Sequence, residues 1–262
     1  MGNEIKAIFF DLDGTLLAPK TKSYHEDVRN AFHTLKEQGV KLFVATGRSV
    51  TEILPTRVVE GLDFDGFVTL NGQFCFNEHQ VIYHNPIPAE DITRIVAQLD
   101  KHPYPCLFVE SDRIYINVVN EMVSAALGEV GMKPPQVVDI HRALEHPIYQ
   151  LVVFIDDEAE QYPFQVLRHC KSTRWSRHGL DIIPANGSKA AGIAQMLAHY
   201  NLQQENTMAF GDGENDVEML RYAAVGVAMG NACASAKDAA DYVTRHADED
   251  GILHALRHFG VL

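Results

Sequence analysis

The 262-residue sequence predicts an α/β protein, a parallel-sheet core with an inserted α+β domain. Three observations carry that expectation. Apolar stretches of strand length alternate with amphipathic helical stretches at both ends of the chain. The middle instead places two short strands side by side across a tight turn. Polar clusters also recur at the ends of four predicted strands or at the helix starts that follow, where open parallel sheets bind ligands.

The elements follow in order. Residues 7–10 (AIFF) form a buried strand. Ser23-Tyr24-His25-Glu26 has capping-box spacing, after which Val28, Ala31, Phe32 and Leu35 repeat at helical intervals until Gly39. Residues 40–45 read as a second strand ending at Thr46-Gly47-Arg48, followed by a helix over 50–59 bent at Pro55, then a third strand over 66–70. Within the insert, Ile92, Ile95, Val96 and Leu99 share a helix face, and strands 106–110 and 113–118 pair across Ser111-Asp112. A helix near 121–127, a strand over 149–155, a helix near 158–169 and a polar strand near 173–177 complete it. The alternation then resumes with a core strand at 181–183 leading to Lys189 at a helix start. Strand 207–210 runs into Gly211-Asp212-Gly213-Glu214-Asn215-Asp216, and strands 225–228 and 242–244 precede a helix near 252–259. The reading is a Rossmann-like core over 1–85 and 181–262 split by a cap domain over 86–180, with no repeats or low-complexity tract.

Composition narrows the function classes. Hydrophobic content of 46% and charged content of 22% suit a soluble globular chain. No apolar run approaches the about 18 residues of a membrane span. The N-terminus lacks signal-peptide regions, and Lys6 stands where a myristoylation motif needs Ser or Thr, so the expected location is the cytoplasm. Cys75, Cys106, Cys170 and Cys233 are widely spaced, and the 13 histidines show no metal-ligand spacing. A net charge of −13 disfavours nucleic-acid binding and requires that an anionic substrate be met by local positive groups. No obligate protein partner is evident.

Asp11-Leu12-Asp13-Gly14-Thr15 is the most specific stretch. Side chains two apart on an extended segment share a side, and adjacent carboxylates repel unless a cation or shared proton relieves them. A hard divalent ion such as Mg²⁺ suits that oxygen-rich pair. A plain polar turn is the alternative; an EF-hand fails because Gly14 arrives too early. The other clusters are Thr46-Gly47, Lys189, and Asp212 with Asn215 and Asp216.

The order D-x-D-G-T, A-T-G-R, Lys, G-D-G-x-N-D resembles the haloacid dehalogenase-like superfamily of aspartate-nucleophile phosphatases, in its Cof-type branch with a large inserted cap. The resemblance spans nearly the whole chain. It implies that Asp11 is the nucleophile and Asp13 the general acid and base. It further implies that Mg²⁺ is held by the Asp11 carboxylate, the Asp13 carbonyl and the Asp212 carboxylate. The Leu12 amide, Thr46, Gly47, Lys189 and Asn215 would hold phosphate, with Asp216 orienting water or Lys189 from behind. The implied substrate is a small phosphorylated metabolite, a sugar phosphate foremost, over which the cap closes. A phosphomutase or a noncatalytic regulator binding a phosphorylated ligand are the alternatives.

Other residues stay open. Arg48 either reaches the substrate or the cap, or pairs with a surface acid. Asn71-Gly72 reads as a turn or an active-site rim. Arg174, Trp175, Arg177 and His178 read as solvated cap surface or a recognition strand.

Overall fold

The computed structural model describes residues 4–53 and 59–262. Strand β1 (Ala7–Phe10) leads through a tight turn to helix α1 (Glu26–Glu37), strand β2 (Lys41–Ala45) and helix α2 (Val50–Ile53). The helix expected over 50–59 keeps this first turn; 54–58, with Pro55, lie outside the described residues. Strands β3 (Gly66–Thr69), β4 (Phe74–Phe76) and β5 (Val81–His84) follow. Next come α3 (Ala89–Lys101), β6 (Cys106–Val109), β7 (Ile114–Ile116), α4 (Glu121–Glu129), β8 (Gln150–Phe154), β9 (Cys170–Arg174) and β10 (Gly179–Pro184). The chain ends with α5 (Lys189–Tyr200), β11 (Thr207–Gly211), α6 (Val217–Tyr222), β12 (Val225–Ala228), α7 (Ala234–Ala239), β13 (Tyr242–Val243) and α8 (Gly251–His258).

Two compact units result: the described parts of 1–48, 52–84 and 188–262, and 49–51 with 85–187. The first is built on an eight-stranded sheet of order β13-β12-β11-β1-β2-β3-β4-β5. Strands β13 through β3 run parallel, and β4 and β5 add antiparallel strands that were not expected from the sequence, although Asn71-Gly72 marked the turn into β4. Period-two alternation feeds two cores. Ile8, Phe10, Leu42, Val44, Met208 and Phe210 pack with Val28, Phe32 and Leu35 of α1 and Leu253 and Leu256 of α8. Ala7, Phe9, Phe43, Ala45 and Ala209 pack on the other face with Ile193, Met196, Met219 and Ala236 of α5 to α7. Every β1 residue is buried, which is why this parallel strand reads as a continuous apolar run.

The second unit is a five-stranded antiparallel sheet of order β7-β6-β8-β10-β9. Ile92, Ile95, Val96 and Leu99 of α3 pack with Phe108, Leu151, Val153 and Ile182.

Five expectations are corrected. The strand expected at 181–183 belongs to this second sheet, so the second crossing falls after Gly187, not at 180/181. An apolar strand ahead of a helix fits either sheet, and only pairing decides. The first crossing moves by one residue, to between His84 and Asn85. The helix near 158–169 is instead two 3-10 turns, Asp157–Ala159 and Pro163–Gln165, because Pro163 has no amide to continue a helix. The capping box from Ser23 is not formed: α1 starts later, and His25 caps it by accepting from the Asp27 amide. On β9, Arg174 is no solvated residue: it pairs with Asp157 and Glu160 and donates to the Arg177 carbonyl.

Candidate active site

Strand register gathers the polar clusters. Phe10 lies opposite Val44 on one side and Phe210 on the other, so Asp11, Thr46 and Asp212 emerge at the carboxyl ends of three adjacent strands. The turn after β1 depends on Gly14, whose φ of +84° is left-handed and whose Cβ, were there one, would fall on the Asp212 carboxylate. Helix α5 brings in Lys189 at its first position, with Ser188 capping the Ala191 amide at 3.2 Å. Gly72 (φ +91°) lets the β3–β4 turn approach the Ser188 carbonyl too closely for any side chain.

Lys189 is fully buried. Its Nζ donates to Asp11 Oδ1 at 2.6 Å and Asp216 Oδ1 at 2.5 Å. Asp216 Oδ2 accepts from the Asp212 and Gly213 amides at 2.8 and 2.9 Å, so both its oxygens are engaged. Asp11 differs: Oδ1 takes the lysine, and Oδ2 accepts no hydrogen bond among the described residues. Asp212 accepts at Oδ1 from the Thr15 hydroxyl at 3.0 Å and at Oδ2 from the Asn231 amide at 3.3 Å.

The electrostatics follow from burial. Burial, then the Asp216 charge, pushes the Asp11 carboxyl well above the usual range, against the pull of Lys189. Burial and the same charge push Asp212 up to about 6, against the Thr15 hydrogen bond. Burial alone would lower Lys189, but Asp11 and Asp216 outweigh it and the ammonium stays charged. Carboxylate oxygens of Asp11, Asp212 and Asp216 lie within 4.8 Å of one another. With all three carboxylates ionised against one ammonium, two negative charges would remain, which a divalent oxygen-seeking cation would offset.

The structure brings together Asp11, Lys189, Asp212 and Asp216. Thr46 is buried and accepts from the Arg48 amide at 3.1 Å, which leaves its hydroxyl proton to donate. Asn215 donates to the buried Asn71 at 2.9 Å, and Asn71 lies beside Gly47. The Leu12 amide donates to no group among the described residues. Asp13 turns to Arg48, whose Nε and a terminal nitrogen meet its two oxygens at 2.7 and 2.6 Å. Of the readings left open, Arg48 thus pairs with an acid, and that acid is the predicted site residue Asp13. Asn71 is a left-handed turn residue (φ +54°) that accepts from Asn215. Sequence reasoning missed Asn231, although it closely follows β12 just as Asp212 follows β11.

Such a three-layer α/β core, with buried carboxylates and a lysine at the sheet's carboxyl edge, is the framework of a phosphoryl-handling hydrolase. The model of the haloacid dehalogenase-like hydrolases matches residues 8–256. YkrA of Bacillus subtilis is 36% identical over 258 residues, covering 98% of both chains. Among solved structures, the phosphatase BT1666 from Bacteroides thetaiotaomicron matches with a TM-score of 0.91 at 32% identity, over 99% of this chain and 96% of that one. The subclass IIB sugar phosphatase BT4131 matches with a TM-score of 0.86 at 36% identity, over 98% of this chain and 100% of that one. The chain belongs to the haloacid dehalogenase-like hydrolase family, in its Cof-type branch, and is a phosphoric monoester hydrolase.

Proposed function

We propose that the protein is a Mg²⁺-dependent phosphatase of small phosphomonoesters, sugar phosphates foremost, working through a phosphorylated Asp11. The observation that carries this is the unequal engagement of the Asp11 oxygens. One is held by Lys189 and the other accepts from no donor among the described residues, so the carboxylate is oriented with a lone pair toward the site.

Asp11 Oδ2 attacks phosphorus, the bond to the ester oxygen breaks, and Asp13 gives its proton to the leaving alcohol. Asp13 then takes a proton from water, whose oxygen attacks the same phosphorus. The Asp11–phosphorus bond breaks and inorganic phosphate leaves. Asp13 must first part from Arg48, which now occupies both of its oxygens. The Leu12 and Gly47 amides, the Thr46 hydroxyl, Asn215 and Lys189 hold the phosphoryl oxygens. Asp11, Asp212 and the Asp13 carbonyl would hold the Mg²⁺; Asp216, with both oxygens engaged, orients Lys189 and the Asp212 backbone instead. When bound, the ion offsets the negative charge of the approaching nucleophile and phosphate.

These residues recognise only the phosphate that all phosphomonoesters share, so substrate discrimination is assigned to the inserted unit. The sugar-phosphate preference is supported by the likeness to BT4131. The test is phosphate release from sugar phosphates, pyridoxal phosphate and flavin mononucleotide, with Mg²⁺ or EDTA, ranked by kcat/KM. Acid-quenched protein should also carry one phosphoryl group on Asp11. Full turnover in EDTA, or product that retains its phosphate, would defeat the reading.

A further inference from the structure

Asn231 lies in the loop after β12, in Met229-Gly230-Asn231-Ala232, where no motif marks it. The backbone on both sides is anchored to the neighbouring strand end. The Met229 amide donates to Gly211 at 3.0 Å, and the Cys233 amide to the Asp212 carbonyl at 2.9 Å. From there its side chain joins three segments. Nδ2 donates to the Gly14 carbonyl at 2.7 Å and to Asp212 Oδ2 at 3.3 Å, and Oδ1 accepts from the Ala247 amide at 2.9 Å. The partners settle which end is which, since a carbonyl can only accept and an amide can only donate.

The chemistry required here is narrow. The side chain must donate to an acceptor on the Gly14 turn, donate to a carboxylate and accept from a backbone amide. A carboxylate of the same shape would face the Gly14 carbonyl and Asp212 with no proton to offer. With the Thr15 hydroxyl on Oδ1, the Asn231 amide gives each Asp212 oxygen one neutral donor. The plane of the carboxylate is thereby set, and each oxygen retains a lone pair for a cation. Gly14 adjoins the same carboxylate, so one side chain ties the turn carrying Asp11 and Asp13 to the acid opposite.

We propose that Asn231 is a positioning residue for the metal-binding carboxylates, holding Asp212 and the Gly14 turn in mutual register so that the cation meets a preformed set of oxygens. This rests on the Mg²⁺ reading above, and the test separates the two. Mg²⁺ is titrated calorimetrically, without substrate, into the full-length protein and its Asn231→Ala, Asn231→Ser and Asp212→Asn variants. Melting in EDTA and the Mg²⁺ dependence of turnover are measured in parallel. The expected result is a 10- to 100-fold weaker Mg²⁺ affinity for both Asn231 variants. Melting in EDTA should fall only modestly while the fold is kept, substrate KM should hold at saturating Mg²⁺, and kcat should recover as Mg²⁺ is raised. The serine variant, which leaves a small polar group in place, guards against loss of fold in the alanine variant. Affinity within twofold of wild type in either folded variant would overturn the assignment. Wild-type protein that binds no Mg²⁺ would instead fail the underlying reading and take this inference with it.

Discussion

Lys189 and Asp11, 178 positions apart in the chain, form a buried ion pair of 2.6 Å between Nζ and Oδ1. The same ammonium meets Asp216, so one lysine serves two carboxylates that burial would otherwise leave uncompensated. The pair joins the end of β1 to the start of α5, so stability and the proposed chemistry draw on the same three side chains.

Removing the lysine should cost stability as well as activity. Lys189→Met keeps the length of the side chain and strands Asp11 and Asp216 without their cation. We expect a loss of about 3–5 kcal/mol at neutral pH, the scale for one partner removed from a buried pair. Urea denaturation measures it, and a loss under about 1 kcal/mol would contradict the burial argument.

The opposite sign is expected at Asp11, the proposed nucleophile. Burial and the Asp216 charge disfavour ionised Asp11, so Asp11→Asn removes a costly charge while Asp216 retains Lys189. Turnover should fall by at least about a thousandfold, with the melting temperature unchanged or raised. Steady-state rates on protein verified free of deamidation decide the first point and a thermal melt the second.

Divalent cation should stabilise the fold in proportion to its binding. At a concentration 100-fold above its dissociation constant, Mg²⁺ should add about 2.7 kcal/mol, a rise of several degrees in the melting temperature over EDTA. Asp212→Ala should abolish that increment. An equal rise in the variant would place the cation elsewhere.

Far from the site, Asp65 gives a pH prediction. Burial acts to raise its carboxyl. The Leu42 amide, Lys36 and Lys41 outweigh burial and hold the folded value below the usual 3.8. A depressed folded value means the contribution is complete above the unfolded value and fades as pH falls through the folded one. Asp65→Asn should therefore cost about 1–2 kcal/mol at pH 7, and the difference from wild type should close at more acid pH. Denaturant midpoints measured at neutral pH and in the acid range check it, and a pH-independent difference would count against the ion pairs.

Much of this was legible in the residues because it depends on local pattern. Val28, Ala31, Phe32 and Leu35 repeat at the interval of one helix face, and that face is buried in α1. Ala7–Phe10 is apolar throughout because both faces of its sheet are covered. The polar clusters stood out because hydrophilic residues end strands that are otherwise fully apolar. Less legible were β4 and β5, short strands whose partners are known only once β3 is placed. The strand over 181–183 within β10 was visible, yet its sheet was not.

From the order of its residues alone, this chain specified a split α/β core and the carboxylates, lysine and glycine turns of its site, since periodicity, chain stiffness and like-charge repulsion act between near neighbours. Only the folded molecule decided which oxygens those groups share. Asp13 lies with Arg48, Asn215 with Asn71, and Asn231 between Gly14 and Asp212. Hydrogen bonds and ion pairs between distant segments depend on distances of a few ångströms, and those arise from sheet register and helix packing that no stretch of sequence holds by itself.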